Sequence, residues 1–88
     1  MVWTIEYLTS VKKELRKLDR QVARRIVDFM DNRIAGLENP RNVGLALSGQ
    51  YEGLWRYRVG DSRILCDTRD DKLVVLVVAI GHRIEVYR

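Results

Sequence analysis

The stretch Leu54-Trp55-Arg56-Tyr57-Arg58-Val59-Gly60-Asp61-Ser62-Arg63-Ile64-Leu65 decides how the chain folds. Trp55, Tyr57 and Val59 alternate with Leu54, Arg56 and Arg58, the period of two that marks an extended strand. Gly60-Asp61 is a two-residue turn signal, and Ser62 to Thr68 continues as a partner strand. A hairpin closed at that turn sets Val59 opposite Ser62 and Arg58 opposite Arg63, with Arg56 two residues further along the same side. Three guanidinium groups then share one face of a sheet. Like charges directly opposite one another cost a few tenths to about 1 kcal/mol, so a fold has little structural reason to place them there. An anion gathered by the cluster supplies a reason, because arginine offers a planar fork matched to phosphate oxygens. The plainer alternative is solvated strand decoration, with the arginines paired to Glu52, Asp61 or Asp67.

On the C-terminal side, a second turn at Arg69-Asp70-Asp71 leads into Lys72 to Ile80. That β-branched run is expected to be a central strand buried on both faces and ended by Gly81. On the N-terminal side, Arg41 to Gly53 reads as a loop with a short extended piece around Leu45 to Leu47. Before it lie two helical patterns. Val11, Leu15 and Leu18 form the first, and Val22, Ile26, Phe29, Met30, Ile34 and Leu37 the second. Their outer faces carry Lys12, Lys13, Arg16, Lys17, Arg20, Arg24 and Arg25. Thr9 and Ser10 are suited to capping the first helix and Asp19 the second, while Gly36 and Asn39-Pro40 mark the end of the helical hairpin. Val2 to Leu8, with Trp3, Ile5 and Tyr7 on one side, reads as a half-buried strand. The order predicts an α+β fold: an N-terminal strand, a helical hairpin, then antiparallel strands forming one twisted sheet with the helices packed on one face.

With 88 residues and 47% hydrophobic content the chain suits one domain, residues 1–88, since a second core does not fit in this length. Sixteen Lys and Arg against twelve Asp and Glu give a formal charge of +4. With a sequence pI near 9.6, that balance favours polyanions such as RNA, DNA or ribosomes. A single cysteine, Cys66, excludes an internal disulfide and a cysteine-based zinc cluster, fits a reducing cytoplasm, and is expected to be buried. The alternating N-terminus shows no signal peptide. The longest apolar run, Leu73 to Ile80, is far short of the roughly 20 residues a membrane helix needs, so the expected location is the cytoplasm, with no membrane partner.

The tail adds His82, Arg83, Glu85 and Tyr87. Histidine exchanges protons near neutral pH, and tyrosine hydrogen-bonds or stacks on a base. His82 has no second histidine or cysteine cluster beside it, so neither a metal nor another cofactor is expected. The plainer alternatives are a surface histidine at a strand end, a packing tyrosine and a salt-bridging Glu85.

The hairpin Leu54 to Leu65, followed by Val78-Ala79-Ile80-Gly81-His82-Arg83 and Glu85-Val86-Tyr87, resembles the RelE family of bacterial toxins. Element order, length and the Leu-x-Gly at Leu47 to Gly49 agree, so the resemblance covers essentially the whole chain. It implies a RelE-like fold and a metal-independent endoribonuclease that enters the ribosomal A site and cuts mRNA. In that family the ribose 2′-oxygen attacks the adjacent phosphate, leaving a cyclic phosphate and a 5′-hydroxyl. The family's basic strand positions match Arg56 and Arg58, its phosphate-binding arginine Arg63, and its late arginine and C-terminal tyrosine Arg83 and Tyr87. Some members carry lysines where this chain has Arg56 and Arg58, and an arginine is a poor proton acceptor. That departure leaves the general base open among His82, Tyr87 and a ribosome-assisted route in which Arg56 acts by charge. Ser62 and Cys66 stand where many relatives have tyrosine, which bears on base stacking.

The resemblance also implies a RelB-like antitoxin as partner, an acidic segment that folds onto the apolar and basic helical hairpin. Two alternatives stay open. ParE-like toxins of the same superfamily poison DNA gyrase and generally lack this catalytic set, and a non-enzymatic module would use its basic helices merely to hold RNA.

Overall fold

The computed structural model describes residues 2–82. Strand β1 (Thr4–Tyr7) leads into helices α1 (Thr9–Lys17) and α2 (Arg20–Asp28), the latter prolonged by a π-helical segment, Phe29–Ile34. A short strand β2 (Leu45–Ala46) precedes β3 (Trp55–Val59), β4 (Ser62–Arg69) and β5 (Val74–His82). All five strands form one sheet in the order β1-β5-β4-β3-β2. The α+β architecture expected from the element order is the one observed. Strands β2 to β5 pair antiparallel, and β1 joins the far side of β5 in parallel, which makes the sheet mixed. A parallel pair needs a long crossover, and here everything between β1 and β5 provides it.

The core lies between one sheet face and the helices. Val11 of α1, Ile26 of α2, and Met30 and Ile34 of the π segment bury against Tyr57, Ile64, Cys66, Val75 and Val77. Cys66 is thus the small buried side chain its sequence context suggests, and burial pushes its thiol pKa far up. Ile26, Met30 and Ile34 recur every four residues, a spacing that drifts ~40° per step on a helix of 3.6 residues per turn. The widened turn absorbs that drift: the Ala35 N–H donates to the Met30 carbonyl five residues back, at 3.0 Å, and all three side chains stay fully buried.

Local chemistry fixes the element ends, in two places differently from the sequence expectation. The Asp19 carboxylate accepts from the Gln21 N–H at 2.7 Å and caps α2, as expected. At α1 the capping position is Leu8, and Thr9 and Ser10 already lie inside the helix. The reason is the sheet: the Leu8 N–H donates to the Val77 carbonyl at 3.1 Å, so extended backbone persists to Leu8 and the helix starts immediately after it. Gly81 does not end β5. It pairs with Arg63 inside the strand, where the β4 ladder outweighs glycine's entropic cost. The turn before β5 also runs further than expected, through Leu73, whose φ of 52° is left-handed.

Burial along β5 is one-sided. Val75 and Val77 are fully buried towards the helices, whereas Leu76 and Val78 are only half-buried, because no helix of the described residues covers the second face. Two polar ties hold the loop before β2. The Tyr57 hydroxyl donates to the Pro40 carbonyl at 2.8 Å inside the core. Arg41 grips Asp70 through two bonds of 3.1 and 2.7 Å, holding that carboxylate below its ordinary range.

Candidate nucleic-acid site on the helix-free face

The β3–β4 hairpin has the register its sequence predicts. Val59 faces Ser62 and Arg58 faces Arg63. Gly60 has φ of 58° while Asp61 has no positive φ, the pattern of a type II′ turn whose twist matches the flanking strands. Since Tyr57, Ile64 and Cys66 point into the helix-side core, the alternating positions Arg56, Arg58 and Arg63 occupy the opposite face. Arg56 sits opposite Leu65, in the row next to the Arg58–Arg63 pair.

The three arginines stand in different surroundings. Arg58 is exposed, Arg56 is half-buried and Arg63 retains only 8% of its accessible surface. Arg63 donates to the Asp61 carbonyl at 3.3 Å, which ties its side chain to the turn. Across from Arg63 and Leu65, β5 offers Gly81 and Ala79, so the neighbouring strand adds little side-chain bulk beside the cations. A one-residue bulge follows at once, where Cys66 pairs with Val77 instead of Val78. The bulge keeps both Ile80 and Val77 on the helix side despite their odd spacing, and bulges of this kind re-aim strands beside functional sites.

One of the carboxylates that the decorative alternative offers is engaged elsewhere. Asp67 is taken by Arg69 at 3.1 Å. Among the described residues the Arg58 side chain makes no ion pair or hydrogen bond. An exposed cation facing a nearly buried one across a ladder is an arrangement that an anion would relieve.

His82 is the last described residue of β5 and pairs with Ser62. Arg83 and Tyr87 lie outside the described residues. The structure therefore brings together Arg56, Arg58 and Arg63 of the residues singled out by sequence. Among the described residues no group of three or more His, Cys, Asp or Glu side chains is placed to hold a metal ion. Likewise, no described helix is long and apolar enough to cross a membrane.

A cation that sequence reasoning treated as helix decoration also reaches this hairpin. The Arg25 guanidinium lies over Gly60: a Cβ built on that glycine would stand 3.4, 3.6 and 3.8 Å from its Nη2, Nη1 and Cζ atoms. Helical periodicity shows that Arg25 is exposed but not which part of the sheet its turn overlies, so no local signal could have found this contact.

A basic, helix-backed sheet of this topology is the architecture of small toxins from toxin–antitoxin systems. Residues 5–87 match the model of the family described as ParE toxin of type II toxin-antitoxin system, parDE, and the chain belongs to that family, within the RelE/ParE superfamily of toxins. It is 26% identical over 88 residues to Toxin RelG of Mycobacterium tuberculosis, covering 100% of this chain and 99% of the relative. Its fold is similar to that in the crystal structure of the toxin–antitoxin complex RelBE2 from Mycobacterium tuberculosis, with a TM-score of 0.85 at 24% identity over 94% of this chain and 93% of the other. The archaeal RelE–RelB complex from Pyrococcus horikoshii OT3 gives a TM-score of 0.67 at 21% identity, over 94% and 97% of the two chains.

Proposed function

We propose that this toxin is a metal-independent endoribonuclease that cuts mRNA in the ribosomal A site and so stops translation. The observation that carries the reading is the pairing of exposed Arg58 with nearly buried Arg63, beside Arg56, on the sheet face no described helix covers. Attack of a ribose 2′-oxygen on the adjacent phosphorus builds charge on the phosphorane oxygens, then expels the 5′-oxygen and leaves a 2′,3′-cyclic phosphate. Fixed cations aimed at that charge lower the barrier, and losing one good donor costs about 10²–10³ in rate. Arg63, held by the turn, and Arg58 are assigned this task, with Arg83 as a third donor. The proton leaving the 2′-hydroxyl and the proton reaching the 5′-oxygen are assigned to His82 and Tyr87, with Arg56 acting by charge.

A RelB-like antitoxin is proposed as the partner that silences it in the cytoplasm, since similar folds occur in the toxin–antitoxin complex RelBE2 and in the archaeal RelE–RelB complex. The match to a family described by the name ParE favours one second reading, inhibition of DNA gyrase. Purified protein should be tested on translating ribosomes and on gyrase supercoiling in parallel. Codon-phased mRNA fragments with cyclic phosphate ends and unimpaired gyrase are the expected result. Inhibited gyrase with intact mRNA would reverse the assignment.

A further inference from the structure

Helix α2 and the β3–β4 turn enclose a cleft of about 130 Å³ lined by Val22, Arg25, Val59, Gly60, Asp61 and Ser62. It opens on the helix side of the hairpin tip, away from the face that carries Arg58 and Arg63. Two guanidinium groups bracket that tip. The Arg63 side chain donates to the Asp61 carbonyl, while the Arg25 guanidinium approaches Gly60, the neighbouring turn residue, with its Nη atoms foremost. Among the described residues the Arg25 side chain makes no ion pair or hydrogen bond, although Asp61 lines the same cleft.

The charge distribution points to the same place. Residues 9–28, which hold α1 and α2, carry seven Lys and Arg against three Asp and Glu, and this surplus of four equals the formal charge of the whole chain, +4. The rest of the sequence is neutral in sum. A polyanion is therefore drawn to the helical side of the molecule, whereas the proposed chemistry sits on the other side of the sheet. The hairpin tip is where the two sides meet.

We propose that the Arg25 cleft is a phosphate subsite for single-stranded RNA, filled by a phosphate of the same strand whose scissile phosphate lies at Arg58 and Arg63. The inference rests on the nuclease reading for the identity of the strand. Arg25 is a binding residue there. A strand draped over the tip meets Arg25 on one side and the arginine pair on the other, and phosphate contacts of this kind fix register without reading sequence. Glycine at position 60 suits the task twice, since it adopts the positive φ of the turn and keeps the cleft floor free of side-chain atoms. Asp61 opposes the phosphate and tempers its affinity.

The test uses the intact chain and a short RNA oligonucleotide with 2′-O-methyl groups, which cannot be cut, with affinity measured over a range of salt. Arg25→Ala should weaken binding several-fold and lower the salt slope by about 0.7, the share of one phosphate on a single strand. Asp61→Asn should tighten binding. Thermal melts of both variants establish that they are folded. A merely structural Arg25 predicts unchanged affinity and slope in folded Arg25→Ala, and that result overturns the proposal. So does absence of RNA binding by the unaltered chain, or loss by Arg25→Ala of affinity for an acidic peptide with none lost for RNA. If the binding pattern appears but RNA with free 2′-hydroxyls is never cut on ribosomes, the subsite stands and the nuclease reading falls.

Discussion

Arg58 and Arg63 face one another yet answer to different neighbours, and that difference separates the proposed catalysis from stability. The Arg58 side chain is exposed and makes no bond among the described residues, so Arg58→Ala should change stability by no more than about 0.5 kcal/mol. Arg63 is almost buried and tied to the turn, so Arg63→Ala should lower the melting temperature as well as cleavage. Melts of the two variants beside their cleavage rates check this, and equal destabilisation would contradict the assigned surroundings. Tyr57 makes a second residue-level prediction. Burial raises its phenol pKa above the ordinary 10.0, and so does burial of Tyr7, helped by nearby Asp31. A raised folded value means that the stability due to the neutral phenol is complete below pH 10.0 and is lost as pH climbs through the folded value. Tyr57→Phe should cost about 1–2 kcal/mol at neutral pH by leaving the Pro40 carbonyl without its donor. It should also flatten the alkaline fall in stability, as read from denaturant midpoints between about pH 8 and about pH 11.

Elements show which features a sequence displays and which it hides. The β3–β4 register was legible because two alternating runs separated by Gly60-Asp61 admit one pairing, and a slip by one residue would turn Tyr57 and Ile64 out of the core. Asp19 was legible as a cap for a similarly local reason. The start of α1 was not, since it depends on a bond between Leu8 and Val77, far away in the chain. The π segment was half visible: the four-residue recurrence of Ile26, Met30 and Ile34 is in the sequence, but its resolution by a wider turn comes from the flat sheet-facing contact all three must keep. Met30 is the middle of that row, so Met30→Ala should cost about 2–5 kcal/mol. Chemical denaturation measures it, and a loss well below that range would mean that the π turn reverts and refills the space. The burial of Arg63 and the reach of Arg25 to Gly60 were hidden likewise, because both arise from elements that meet only in the folded chain.

For the molecule as a whole, surplus charge and proposed chemistry occupy different sides of one sheet, joined at a hairpin tip. Under the proposed function this division would let the helices attract RNA while the arginine face cuts it, and would let an acidic antitoxin segment compete for the helical side. The central claim is that guanidinium groups from β3 and β4 meet around one RNA phosphodiester. Mapping mRNA 5′ ends after brief induction, for the unaltered toxin and for Arg58→Ala and Arg63→Ala, tests it most directly. Cuts in phase with codons that fade by about 10²-fold or more in both variants, with Arg58→Ala still fully folded, are the result expected. Undiminished cuts in folded Arg58→Ala and Arg63→Ala, or translation arrest without any cuts, would contradict it.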